Sequence, residues 1–148
     1  MSRARATNRF ARIAEGWVER AWPSWGAFVE KRQDGEFAVA FPAPKGSEAG
    51  HLHIFTWRGD LWVRYDPPSM CYAIDTQPEL SSIVKQLLGD KALFVSTFRG
   101  RKWVGTTLVR RGTRPKVRPG EVAHVVSWSG KYDDTISAAT ARSPHRAG

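Results

Sequence analysis

Residues 51–65, HLHIFTWRGDLWVRY, decide how the chain is read. Gly59-Asp60 is a two-residue turn signal between two runs whose apolar residues alternate with period two, the pattern of a β-hairpin. With that turn, Trp57 pairs with Trp62, Phe55 with Arg64 and His53 with Asp66 on one face. The other face carries Leu52, Ile54, Thr56, Leu61, Val63 and Tyr65, a surface fit for a core.

Working outward, TQPELSSIVKQLLGD carries Thr76 and Glu79 as a capping box, Pro78 in the first turn and Gly89 at the C-terminal cap. Leu80, Ile83, Val84, Leu87 and Leu88 form one stripe, so a helix over 76–89 lies on a sheet. An earlier amphipathic helix over 8–21 presents Phe10, Ile13, Ala14, Trp17, Val18 and Ala21, and Pro23 stops it. The remaining apolar runs read as strands: WGAFVEKR, EFAVAFPAP, HLHIFTW and LWVRYD before the second helix, then ALFVSTF, KWVGTTLVR and EVAHVVSWS. QDGE at 33–36 is a tight-turn signal.

The expected fold is α+β, a mostly antiparallel sheet of about six to seven strands with an N-terminal helix and helix 76–89 packed on one face. A single domain spans 8–136, with a flexible basic N-terminus over 1–7 and a flexible tail over 137–148.

Thr56-Trp-Arg-Gly-x-x-Trp-Val recurs 41 residues later as Thr97-Phe-Arg-Gly-x-x-Trp-Val, two hairpins with one turn motif. By the same construction Gly100-Arg101 turns the second, pairing Phe98 with Trp103 and Phe94 with Thr107. Leu93, Val95, Val104 and Leu108 then form its core face. Aromatic pairs beside both turns stabilise a sheet by about 0.2–1 kcal/mol each. Exposed, they are interface anchors, because Trp and Arg are enriched where binding energy concentrates.

The chain has 148 residues, 41% of them hydrophobic, enough for one core without staples. No apolar run reaches the roughly 18 residues of a membrane span, and the N-terminus lacks a secretory apolar core. The single cysteine, Cys71, excludes an internal disulfide, and the expected location is the cytoplasm. Lys and Arg number 23 against 14 acidic residues, a net charge of +9 that favours acidic partners.

Catalytic patterns are absent: no nucleophile elbow, P-loop or dinucleotide fingerprint occurs, and SWSG at 127–130 is a turn. Cys71 reads as a small buried thiol. His51 and His53, with His124, raise a third reading, a metal-dependent enzyme. No carboxylate follows His53 at the spacing such a site needs, and a hydrogen bond from His53 to Asp66 accounts for the pair. The expectation is a non-enzymatic protein with no cofactor and no metal.

The segment RRGTRPKVRPGE supplies Arg110, Arg111, Arg114, Lys116 and Arg118 along one sheet edge, with Arg99, Arg101 and Lys102 at the second hairpin tip. Such residues neutralise phosphates, and exposed Trp57, Trp62 or Trp103 would stack bases. No recognition-helix, RRM, KH or OB signature accompanies them. Nucleic-acid binding is the alternative function.

The run GHLHIFTWRGDLWVRYDPP, the helix PELSSIVKQLLGD, the strand pair ALFVSTFRGRKWVGTTLV and the late Trp128-Ser129-Gly130 resemble small immunity proteins of bacterial polymorphic toxin systems, over roughly residues 50–130. The resemblance implies a protein that binds one cognate toxin and blocks it. Nuclease inhibitors of that kind tend to be acidic, so a charge of +9 implies an acidic toxin surface. The expected partner-binding patch is Trp57, Arg58, Trp62, Arg64, Phe98, Arg99, Arg101, Lys102 and Trp103.

Overall fold

The computed structural model describes residues 3–30, 32–66 and 70–138. Of the flexible ends expected from the sequence, Met1, Ser2 and residues 139–148 lie outside the described residues. Helix α1 spans Arg3–Ala21, starting five residues before the capping signal at Asn8. A 3-10 helix over Pro23–Phe28 follows, then strands β1 (Ala38–Pro42), β2 (His51–Trp57), β3 (Asp60–Asp66) and β4 (Met70–Ile74). Helix α2 (Gln77–Leu88) leads to β5 (Ala92–Arg99), β6 (Lys102–Arg110), β7 (Glu121–Val126) and β8 (Asp134–Ser137).

The α+β class holds, but the eight strands among the described residues divide into two antiparallel sheets of four, ordered β1-β2-β3-β4 and β6-β5-β7-β8. WGAFVEKR is not a strand. Pro23 sits in the first turn and starts the 3-10 helix, whose Trp25 stacks between Trp22 and Phe41, each ring centroid 4.6 Å away. Strand contact survives only at its end, where Val29 bridges Val39 and the Glu30 N–H donates to the Ala38 carbonyl at 2.8 Å.

The hairpin face assignment holds completely: Leu52, Ile54, Thr56, Leu61, Val63 and Tyr65 are all buried. Its pairing differs, because the turn is Arg58-Gly59, both with positive φ (51° and 85°). Moving a turn by one residue changes each partner by two, which preserves the face of every side chain. Phe55 therefore lies opposite Trp62, His53 opposite Arg64, and His51 opposite Asp66.

The second hairpin does turn at Gly100-Arg101, with Phe98 opposite Trp103. A bulge then leaves Val104 unpaired and puts Phe94 opposite Leu108 rather than Thr107. Val104 is 52% exposed instead of buried. The shared letters thus build two different hairpins.

Both helices pack into the shared core, α1 against β2 of the first sheet and α2 against β5 of the second. Leu80, Val84 and Leu87 of α2 are fully buried, and the Thr76 hydroxyl caps the helix by accepting from the Glu79 N–H at 3.3 Å. The left-handed residue after it is Asp90 (φ 56°), not Gly89. Among the side chains of α1 from residue 9 onward, Ala11, Ala14 and Val18 are buried, while Ile13 is exposed. The helix is rotated so that small side chains meet the sheet closely, and Phe10 and Trp17 flank them edge to face at 6.2 Å.

Phe94, Val126 and Trp128 bring the second sheet into this core, Tyr65 lying 4.8 Å from Phe94 and 5.8 Å from Trp128. The opposite face of the second sheet carries its own small cluster of Leu93, Val95, Ala123, Val125 and Ile136, with Val109 and Val117 packed on it. No helix among the described residues is long and apolar enough to cross a membrane.

Candidate functional site

The outer face of the first sheet follows from the alternation in β2 and β3. Every second side chain points away from the core, placing His53, Phe55 and Trp57 beside Arg64 and Trp62. Together with Arg32, Thr56 and Cys71 they line an open hollow of about 380 Å³. Trp57 is 50% exposed, with the Arg58 guanidinium 4.5 Å over its ring. Trp62 and Arg64 are half-buried.

Arg64 is held from several sides. Its guanidinium stacks 4.6 Å from the Phe55 ring and reaches Asp66 at 3.8 Å. Its Nη2 donates to His53 Nδ1 at 2.8 Å, so the neutral imidazole carries its proton on Nε2, facing Glu30 Oε1 at 3.6 Å. Burial, then the Arg64 charge, holds His53 below its ordinary value, against the opposing pull of Glu30 and Asp66. The imidazole is thus kept neutral. His53 Nε2 and Arg64 Nε are buried without a hydrogen-bond partner among the described residues.

The expected His53–Asp66 hydrogen bond is replaced by the Arg64 contact, because the register sets Arg64 opposite His53. Cys71 lies on the far side of Arg64, one strand further on, so the thiol and the imidazole are separated by a guanidinium. Burial pushes the Cys71 thiol up, against Arg64. His124 belongs to the second sheet, beside Phe98 and 3.4 Å from Thr135 Oγ1. Among the described residues no three His, Cys, Asp or Glu side chains converge as a metal site. Ser127 of SWSG is fully buried, its hydroxyl donating to Asp133 at 3.0 Å.

The turn itself is constrained. Arg58 occupies the left-handed region that favours Asn or Gly, a conformation costing an ordinary residue about 1 kcal/mol or more. Glu36 Oε2 accepts the Arg58 N–H at 2.9 Å and pins it. Burial raises the Glu36 carboxyl, and this N–H counters it. Arg58→Asn is expected to raise stability by about 0.5–1 kcal/mol, read by urea denaturation.

The structure therefore gathers Trp57, Arg58, Trp62 and Arg64, and places Phe98, Arg99, Arg101, Lys102 and Trp103 on the other sheet. There Trp103 is 58% exposed, its Nε1 donating to Thr106 at 3.0 Å, and Arg99 pairs with Glu121 at 3.3 Å. Trp57 stands on the outer face of its sheet, whereas Trp103 shares the face on which Phe94 enters the core. The two hairpins form two patches, not one.

Arg32 and Glu36 were missed from sequence. The QDGE turn was the signal, since a tight turn returns its flanks to the next strand. Asp34 braces Arg32 at 2.7 Å and is itself lowered to about 2 by that hydrogen bond. Arg110, Arg111, Arg114, Lys116 and Arg118 are all exposed, but 111–118 crosses the outer face of the second sheet instead of following its edge. Comparison with known protein families, characterised proteins and solved structures returned no match.

Proposed function

We propose that the chain is a non-enzymatic, cytoplasmic binding protein that docks a protein partner on the outer face of its first sheet. The observation that carries this reading is Trp57, half exposed on a pinned turn with Arg58 over its ring and an open hollow beside it. A rigid aromatic–arginine anchor loses little conformational freedom on binding, and such residues dominate interface energetics. The partner is an acidic-surfaced toxin whose active site the docked chain occludes, as the resemblance to immunity proteins implies. Trp103 at the second hairpin provides a separate contact.

The test is affinity for the product of the neighbouring gene, measured by calorimetry with thermal melting as the folding control. Trp57→Ala is expected to weaken binding about 30-fold or more. Its melting temperature stays within a few degrees of the parent, as for most surface substitutions. Trp103→Ala is expected to weaken binding less. Unfolding by Trp57→Ala would show the ring to be structural, and unchanged affinity would remove the face from the interface.

A further inference from the structure

We propose that the outer face of the second sheet is a second, independent site that binds single-stranded nucleic acid, with Arg114, Lys116 and Arg118 on its phosphates and Tyr132 stacking a base. The segment 113–118 has no regular secondary structure, and exposure alternates along it. Pro115 and Val117 turn inward, Val117 onto the cluster of Leu93, Val95 and Ile136, while Arg114, Lys116 and Arg118 face solvent. In an extended run such alternate residues stand about 7 Å apart, close to the repeat of a stretched nucleic-acid strand. The apolar contacts and the two prolines fix this ribbon before anything binds.

Electrostatics separates this face from the first. On the first face Arg32 and Arg64 are each paired with a carboxylate, and Arg58 lies over the Trp57 ring. Arg114, Lys116, Arg118 and Lys131 form no ion pair among the described residues. Of the neighbouring acids, Glu121 is engaged by Arg99 and the Arg118 N–H, Asp133 by Ser127, and Asp134 by the Thr135 N–H. The positive field is therefore unspent, the condition for releasing counterions from a polyanion.

A hollow of about 440 Å³ adjoins the ribbon, floored by Leu93, Val109, Val125 and Ile136 and walled by Arg111 and Tyr132. The Tyr132 ring is 37% exposed and held by Arg111, 5.1 Å over its face and 3.2 Å from its hydroxyl. A slot with an apolar floor, its rim carrying Arg111, Arg114 and Lys131 against Asp133 and Asp134, suits an unstacked base, which a duplex does not offer and an acidic peptide lacks. The site uses none of the residues of the proposed protein interface, so either reading can fail alone.

The test is fluorescence anisotropy of a labelled 12-nucleotide single strand, titrated with the full chain from 25 to 200 mM salt. For three to four phosphate contacts, log K against log salt is expected to fall with a slope of about −2 to −3. The triple variant R114A/K116A/R118A should flatten that slope and lose at least about tenfold in affinity at low salt. Tyr132→Leu should lose about tenfold with the slope unchanged, the sign of lost stacking. Thermal melting of each variant confirms folding. Absence of binding at 25 mM salt, a duplex or a poly-glutamate bound as tightly as the single strand, or an unaltered triple variant would overturn the proposal.

Discussion

Replacing Trp128 with alanine is expected to lower the unfolding free energy by about 3–5 kcal/mol. The ring is 7% exposed and lies against residues from distant parts of the chain: Tyr65 of β3 at 5.8 Å and Phe41 of β1 at 6.1 Å. It lies two residues past the end of β7, so it bridges the second sheet to the core of the first. Removal forfeits the transfer free energy of a large aromatic and leaves a space that the surrounding strands cannot fill without moving. Trp128→Phe keeps part of the stack and should recover more than half of the loss. Urea denaturation followed by far-ultraviolet circular dichroism measures both, the alanine variant shifting its midpoint by about 2 M at an ordinary m value. A shift below about 0.5 M would mean that the two sheets do not depend on this contact.

That dependence also explains what could be read from the sequence. The six inward residues of the first hairpin were legible because face parity survives an error in the turn position. Partner identity does not survive it, so His53 was matched to Asp66 instead of Arg64. In the second hairpin one unpaired residue, Val104, was enough to defeat the alternation, since a bulge leaves no local signature in a run such as KWVGTTLVR. The capped helix α2 was plain because its signals are local. The division into two sheets was not, because contacts such as Tyr65 with Trp128 link residues far apart in sequence. At the candidate site, Trp57 and Arg58 were legible as residues beside a turn on the aromatic face, but the exposure of that face was not. Glu36, which pins that turn from 22 residues away, carried only the indirect signal of the QDGE turn it belongs to. Tyr132 and Lys131 were passed over because they follow a turn read only as a connection.

The second large effect is expected at that same connection. Asp133 Oδ1 accepts both the Ser127 N–H at 2.7 Å and the Ser127 hydroxyl at 3.0 Å, and that hydroxyl in turn accepts the Tyr132 N–H at 3.0 Å. Ser127 is fully buried, so no water replaces a lost acceptor. Asp133→Ala orphans two buried donors and should cost about 2–4 kcal/mol, whereas Asp133→Asn keeps a carbonyl oxygen there and should cost about 1 kcal/mol. The Ser127 amide should lose its protection from hydrogen exchange in the alanine variant and keep most of it in the asparagine variant. Because the Tyr132 backbone hangs on the same hydroxyl, Asp133→Ala also frees the ring that walls the second hollow. At a temperature where the variant remains folded, its affinity for a single strand should fall with the salt slope unchanged, as for Tyr132→Leu. An alanine variant as stable as the parent would instead place the ordering of this loop in the packing of Trp128 alone.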